Sequence, residues 1–104
     1  MDPRMGLCID VGHTIRNGED PAKAILDFGD RLHDVHMKDV SAAAPEGGTV
    51  EIGRGVIDIP AVLRSLIKIH YPYTVSFEFE KDSQDPLPGV AESIGYVRGV
   101  LAML

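Results

Sequence analysis

The chain has 104 residues, 44% of them apolar, with a formal net charge of -6. That length suits one ordinary domain with one core, and an acidic chain whose ten basic residues form no run excludes a nucleic-acid backbone as main partner. No apolar run approaches the ~18 residues of a membrane span, no secretory leader pattern is visible, and the single cysteine, Cys8, excludes an internal disulfide. A cytoplasmic protein with no membrane partner is the expectation, with Cys8 read as a small buried hydrophobe.

In chain order, Gly6 to Val11 reads as a strand and Gly12 to Glu19 as a glycine-containing loop. Asp20-Pro21 is a helix start, an N-cap followed by a proline whose missing N–H costs nothing at the first helical position. Ala22, Ile25, Leu26 and Phe28 form its apolar stripe, and Gly29 is its stop. Leu32 to Lys38 is a second strand, whose two-residue period puts Asp34, His36 and Lys38 on one face and Val35 and Met37 on the other.

Asp39 to Val56 is a long loop with Gly47-Gly48 and Gly53-Arg54-Gly55, and loops of that length are functional or disordered. Asp58 caps a second helix striped by Ile59, Val62, Leu63, Leu66 and Ile69. Thr74 to Glu80 is a third strand, Lys81 to Leu87 a polar loop, and Pro88 opens a last helix with Val90, Ile94, Val97, Leu101 and Leu104 as its stripe. The expectation is a single domain over residues 1–104, built of three consecutive βα units at about 6–30, 31–70 and 73–104 around a parallel sheet. Parallel strands are ordinarily apolar on both faces. Here one face is polar, increasingly so towards the C-terminal strand ends, which suits a barrel opening into a site above those ends.

Asp10, His36 and Glu78 stand at or near the ends of the three strands and make an N/O ligand set for Mn²⁺, Mg²⁺, Co²⁺ or Zn²⁺ without selecting among them. A structural reading competes with it: inward acids paired with Lys or Arg, and a satisfied core histidine. Glu80 shares the parity of Glu78, so periodicity does not choose between them. Lys38 has two readings, a substrate-anion contact or an ion pair with Asp10 or Glu80. Asp39 is placed to accept a bond from the long loop; Arg54 is a phosphate contact or, on the plainer view, a solvated loop residue. His33 and His70 read as surface or turn residues.

Ile9-Asp10-Val11-Gly12-His13 resembles a D-x-G-H element, His36-Met37-Lys38-Asp39 an H-x-K-D element, and Ser76-Phe77-Glu78-Phe79-Glu80 the final acidic strand of the xylose isomerase-like TIM barrels. Gly53-Arg54-Gly55-Val56-Ile57-Asp58 resembles their G-x-G-x-I-D segment. The resemblance runs in order from about Met5 onward and implies the C-terminal part of a (β/α)8 barrel. It implies Asp10, His36 and Glu78 as metal ligands, His13 as a substrate contact, and Glu78 as an acid/base beside the reacting carbon, with Lys38 in the same site. The implied activity is divalent-metal-dependent isomerisation or epimerisation of a sugar or sugar phosphate. Its alternatives are an inosose-type dehydratase and a non-catalytic oligomerising module that retains the ligands. The endonuclease branch of the superfamily carries a D-x-H pair where this chain has Gly47-Gly48-Thr49, which together with the charge sets DNA repair aside. A full barrel has eight βα units over ~250 residues. Three units are therefore expected to be inactive alone, and to self-associate or to meet a partner chain supplying the rest.

Overall fold

A computed structural model of the chain describes residues 2–104. Its centre is a parallel sheet of three strands in the order β1-β2-β5: β1 (Leu7–Asp10), β2 (Leu32–Met37) and β5 (Val75–Phe77). Helices α1 (Val11–Arg16), α2 (Pro21–Phe28), α3 (Ile59–Lys68) and α4 (Leu87–Ala102) connect and flank these strands. The alternating β and α segments thus form the parallel βα architecture the pattern predicts.

The apolar face of the sheet is the one the helices cover. Val35 and Met37 of β2 are fully buried, and Ile25 of α2 and Ile59 and Val62 of α3 pack in the same core. Both long-predicted caps form: Asp20 accepts the Ala22 N–H and Asp58 the Ala61 N–H, each at 3.0 Å, which satisfies amide donors that the first helical turn leaves unpaired.

Several boundaries differ from the expectation. Val11 to Arg16, expected within a strand end and a loop, is a helix, because the Asp10 side chain accepts the His13 N–H at 3.0 Å and the Thr14 hydroxyl donates to the Asp10 carbonyl at 2.9 Å. The third strand spans only three residues, and Glu78 lies just past its end, its N–H donating to the Met37 carbonyl at 3.0 Å. Of the α2 stripe, Ile25 faces the core as expected, with Pro21 beside it, while Leu26 and Phe28 are exposed. In α4 the buried line is Gly89, Ser93 and Val97, spaced four apart, while Leu101 and Leu104 are exposed. Ser93 sits in that apolar line because its hydroxyl donates to the Gly89 carbonyl at 2.9 Å and accepts the Ile52 N–H at 3.0 Å.

Cys8 is exposed rather than buried. Its register partner is Asp34, so it lies on the polar face of the sheet.

The segment after β2 is ordered rather than loose. Asp39–Val40 (β3) and Thr49–Val50 (β4) pair as an antiparallel ribbon, and the rest is wrapped around the fully buried Asp39 carboxylate. Its Oδ1 accepts from the Val40 and Ile57 amides at 2.9 and 3.1 Å, its Oδ2 from the Gly53 and Gly55 amides at 3.0 Å each. A β-carbon on Gly55 would fall on Asp39 Oδ1 and the Val40 carbonyl, so only glycine allows this approach.

Candidate metal and acid–base site

The C-terminal ends of the three parallel strands place three ionisable side chains together. Asp10 is opposite His36 in the β1–β2 register, and His36 is opposite Ser76 of β5. Glu78, two residues further, therefore emerges on the face of His36. His36 Nδ1 lies 3.0 Å from Glu78 Oε1 and 3.9 Å from Asp10 Oδ2. One donor atom from each of Asp10, His36 and Glu78 can be chosen so that all three lie within 4.8 Å of one another. Two carboxylates and an imidazole at that separation can converge on one divalent ion.

Lys38 lies beneath them. Its side chain is only 1% exposed, and its ammonium stands 3.0 Å from Asp10 Oδ2, 3.1 Å from Glu78 Oε2 and 2.8 Å from Glu80 Oε1. Of the two readings open for Lys38, the ion pair is the one formed, and it takes in all three carboxylates. Burial works against the lysine charge, yet the hydrogen bonds to Glu80, Asp10 and Glu78 outweigh it and raise the pKa above the ordinary lysine value. Asp10 shows the same contest with the opposite sign. Burial favours its neutral form, but the His13 amide and the Lys38 ammonium lower its pKa. Lys38 likewise lowers the pKa of Glu80. Three carboxylates around one ammonium leave an excess of negative charge, which favours a cation.

The remaining predicted residues divide. His13 stands on α1 at the rim, its side chain 62% exposed and its Nε2 3.8 Å from Asp10 Oδ2. Glu78 and Glu80 both reach Lys38, but only Glu78 touches His36, which separates two acids that alternation left equivalent. Arg54 is neither a free loop cation nor turned to this site: it forms a two-pronged pair with Glu92 of α4, with Nε 2.6 Å from Oε2. His70 takes a left-handed turn conformation with φ 54°, and His33 packs its ring on Tyr73 at 5.3 Å between centroids. Asp34, given a face but no role by sequence, lies with Oδ2 3.2 Å from His36 Nε2. Its shared parity with His36 was the signal.

The model of the xylose isomerase-like TIM barrel matches residues 1–100. The chain belongs to that family. Among curated relatives, the rhizopine catabolism protein MocC of Rhizobium meliloti is 31% identical over 108 residues, covering 89% of this chain and 33% of the relative. The inosose dehydratase of Geobacillus kaustophilus is 28% identical, covering 93% and 35%. The crystal structure of a xylose isomerase domain protein from Planctomyces limnophilus superposes on 96% of the chain and 39% of its own length, with a TM-score of 0.78 at 19% identity. The chain therefore spans about a third of the length of the curated relatives it matches, and its three-stranded sheet corresponds to a fragment of the family's barrel. Among the described residues, no helix is long and apolar enough to cross a membrane.

Proposed function

We propose that Asp10, His36 and Glu78 hold a divalent cation in a sugar or sugar-phosphate isomerase or epimerase, in which a proton moves to and from a carbon beside a carbonyl. The observation carrying this reading is the convergence of one donor atom from each of three adjacent parallel strands, at the strand ends, on the side where such barrels bind ligands. The donor chemistry fits a divalent ion: mixed N/O ligands, excess negative charge, and an imidazole open enough for a further ligand to approach. A bound cation would supply Lewis-acid polarisation of a substrate carbonyl and its neighbouring hydroxyl.

The chain's own residues then have distinct tasks. Lys38 helps hold the Asp10 pKa down and fixes the positions of Asp10 and Glu78 from below. Glu78 takes the proton from the substrate carbon and returns it. His13, exposed at the rim, contacts substrate hydroxyls. Mn²⁺, Mg²⁺, Co²⁺ and Zn²⁺ all suit the ligand set. Since the chain spans about a third of its curated relatives, turnover belongs to a completed barrel, whose further strands cover the polar face and the open edges of β1 and β5.

A dehydratase acting on an inosose-like keto polyol is the second reading, favoured by the inosose dehydratase relative. It uses the same proton abstraction, after which a neighbouring hydroxyl leaves with a proton as water. Calorimetric titration of the chain with Mn²⁺ and Zn²⁺ tests the site: His36→Ala and Glu78→Ala should each weaken binding at least tenfold, and unchanged affinity in both overturns it. Product analysis of the barrel-completed protein on ketoses and inososes separates epimer formation from loss of water.

A further inference from the structure

His36 is flanked on both ring nitrogens. Nδ1 faces Glu78 and Asp10, and Nε2 faces Asp34 at 3.2 Å. A neutral imidazole has one N–H and one lone pair, so the two sides compete for its single proton. They are unequal competitors. On the Nδ1 side, Glu78 and Asp10 share the Lys38 ammonium at 3.1 and 3.0 Å. On the Nε2 side, Asp34 has no lysine or arginine within 4 Å among the described residues, and its other oxygen accepts only the Val35 N–H at 2.9 Å. The Lys38 ammonium offsets part of the carboxylate charge on the Nδ1 side, whereas no lysine or arginine offsets Asp34, and an uncompensated carboxylate favours a proton on the nitrogen it faces.

Building on the metal site proposed above, we propose that Asp34 is a positioning residue for His36: it accepts the Nε2–H, holds the ring in that tautomer, and leaves the Nδ1 lone pair aimed at the space between Asp10 and Glu78. Metal-binding histidines are generally oriented by such an acceptor on the distal nitrogen. Asp34 does this from β2 itself, two residues before the histidine and on the same face.

The neighbouring thiol supplies a competing arrangement. Cys8, Asp34 and His36 also offer donor atoms within 4.8 Å of one another. A cation held there would take Nε2 and displace the proton assigned to it, so His36 cannot serve both arrangements through that nitrogen. Partial loss of water around the otherwise exposed thiol and the carboxylates of Asp34, Asp10 and Glu78 raise the Cys8 pKa, which disfavours the thiolate such a site needs.

Long-range ¹H–¹⁵N correlation of the imidazole nitrogens, on the metal-free chain at a pH where the ring is neutral, reads the tautomer directly. The wild type should carry its proton on Nε2, and Asp34→Ala should redistribute it towards Nδ1. Zn²⁺ titration of the same chains should show Asp34→Ala roughly 10- to 100-fold weaker. Asp34→Asn, which keeps an acceptor oxygen, should recover part of the loss, and Cys8→Ser should match wild type. A wild-type proton on Nδ1, an unchanged tautomer in Asp34→Ala, or a loss in Cys8→Ser equal to that in Asp34→Ala overturns the proposal. Zn²⁺ affinity untouched by both Asp10→Asn and Glu78→Gln would overturn the metal reading instead, and the tautomer comparison in metal-free protein would still decide the role of Asp34.

Discussion

Gly12 and Lys38 share one space: a β-carbon on the glycine would fall on Cγ and Cδ of the lysine. The first turn of α1 thus lies directly over the lysine stem, and the ammonium is delivered to Asp10, Glu78 and Glu80 by packing as much as by charge. Gly12→Ala should therefore act as an overpacking mutation at a side chain with nowhere to go. Denaturant unfolding should show a loss of roughly 1–3 kcal/mol, and a variant as stable as wild type would show that the lysine can yield.

Lys38→Met keeps most of the stem and removes the charge. Three carboxylates then face one another without an ammonium, although Glu78 and Glu80 are exposed enough for water to screen much of their repulsion. A stability loss of roughly 1–3 kcal/mol is expected at low salt, and it should shrink as salt is added. Thermal melts across a salt series check both parts.

Asp39→Asn should be more damaging than its size suggests. The native carboxylate accepts four amide N–H groups, and an asparagine must turn its own NH₂ towards two of them. Roughly 2–4 kcal/mol should be lost, with hydrogen exchange accelerating first at Gly53, Gly55 and Ile57.

Glu51 and Lys81 tie the end of the β3–β4 ribbon to the segment after β5, with Lys81 Nζ 2.7 Å from Glu51 Oε1. The hydrogen bond from Lys81 holds the Glu51 pKa below its ordinary value of 4.5. A depressed carboxylate pKa contributes stability above the unfolded value, and that contribution is lost as pH falls through the folded one. Glu51→Gln should melt lower than wild type at neutral pH, and the two curves should converge below the ordinary glutamate range. A constant gap down to that acidity would assign the effect to packing rather than to charge.

Local signals carried the helix caps well. Asp20 and Asp58 each precede a proline-containing first turn, and a cap needs only the few residues around it. Alternation in Leu32 to Lys38 likewise placed Asp34, His36 and Lys38 on one face, since a strand's period is purely local. The Val11–Arg16 helix escaped that reading because its cap, Asp10, was already assigned to a strand and a site. Ser93 escaped because its acceptor and donor partners are only completed by Ile52, far away in sequence.

By itself, then, the sequence determined the βα order and the polar face of β2, because each follows from spacing within one element, while the ordered motifs made Asp10, His36 and, by resemblance alone, Glu78 the candidates. Tertiary structure alone decided that Lys38 is buried among three acids, that Glu78 rather than Glu80 meets His36, and that Asp34 lies 3.2 Å from the far nitrogen of the imidazole. Those relations depend on strand register and on where β5 ends, and such distances are set between elements by packing.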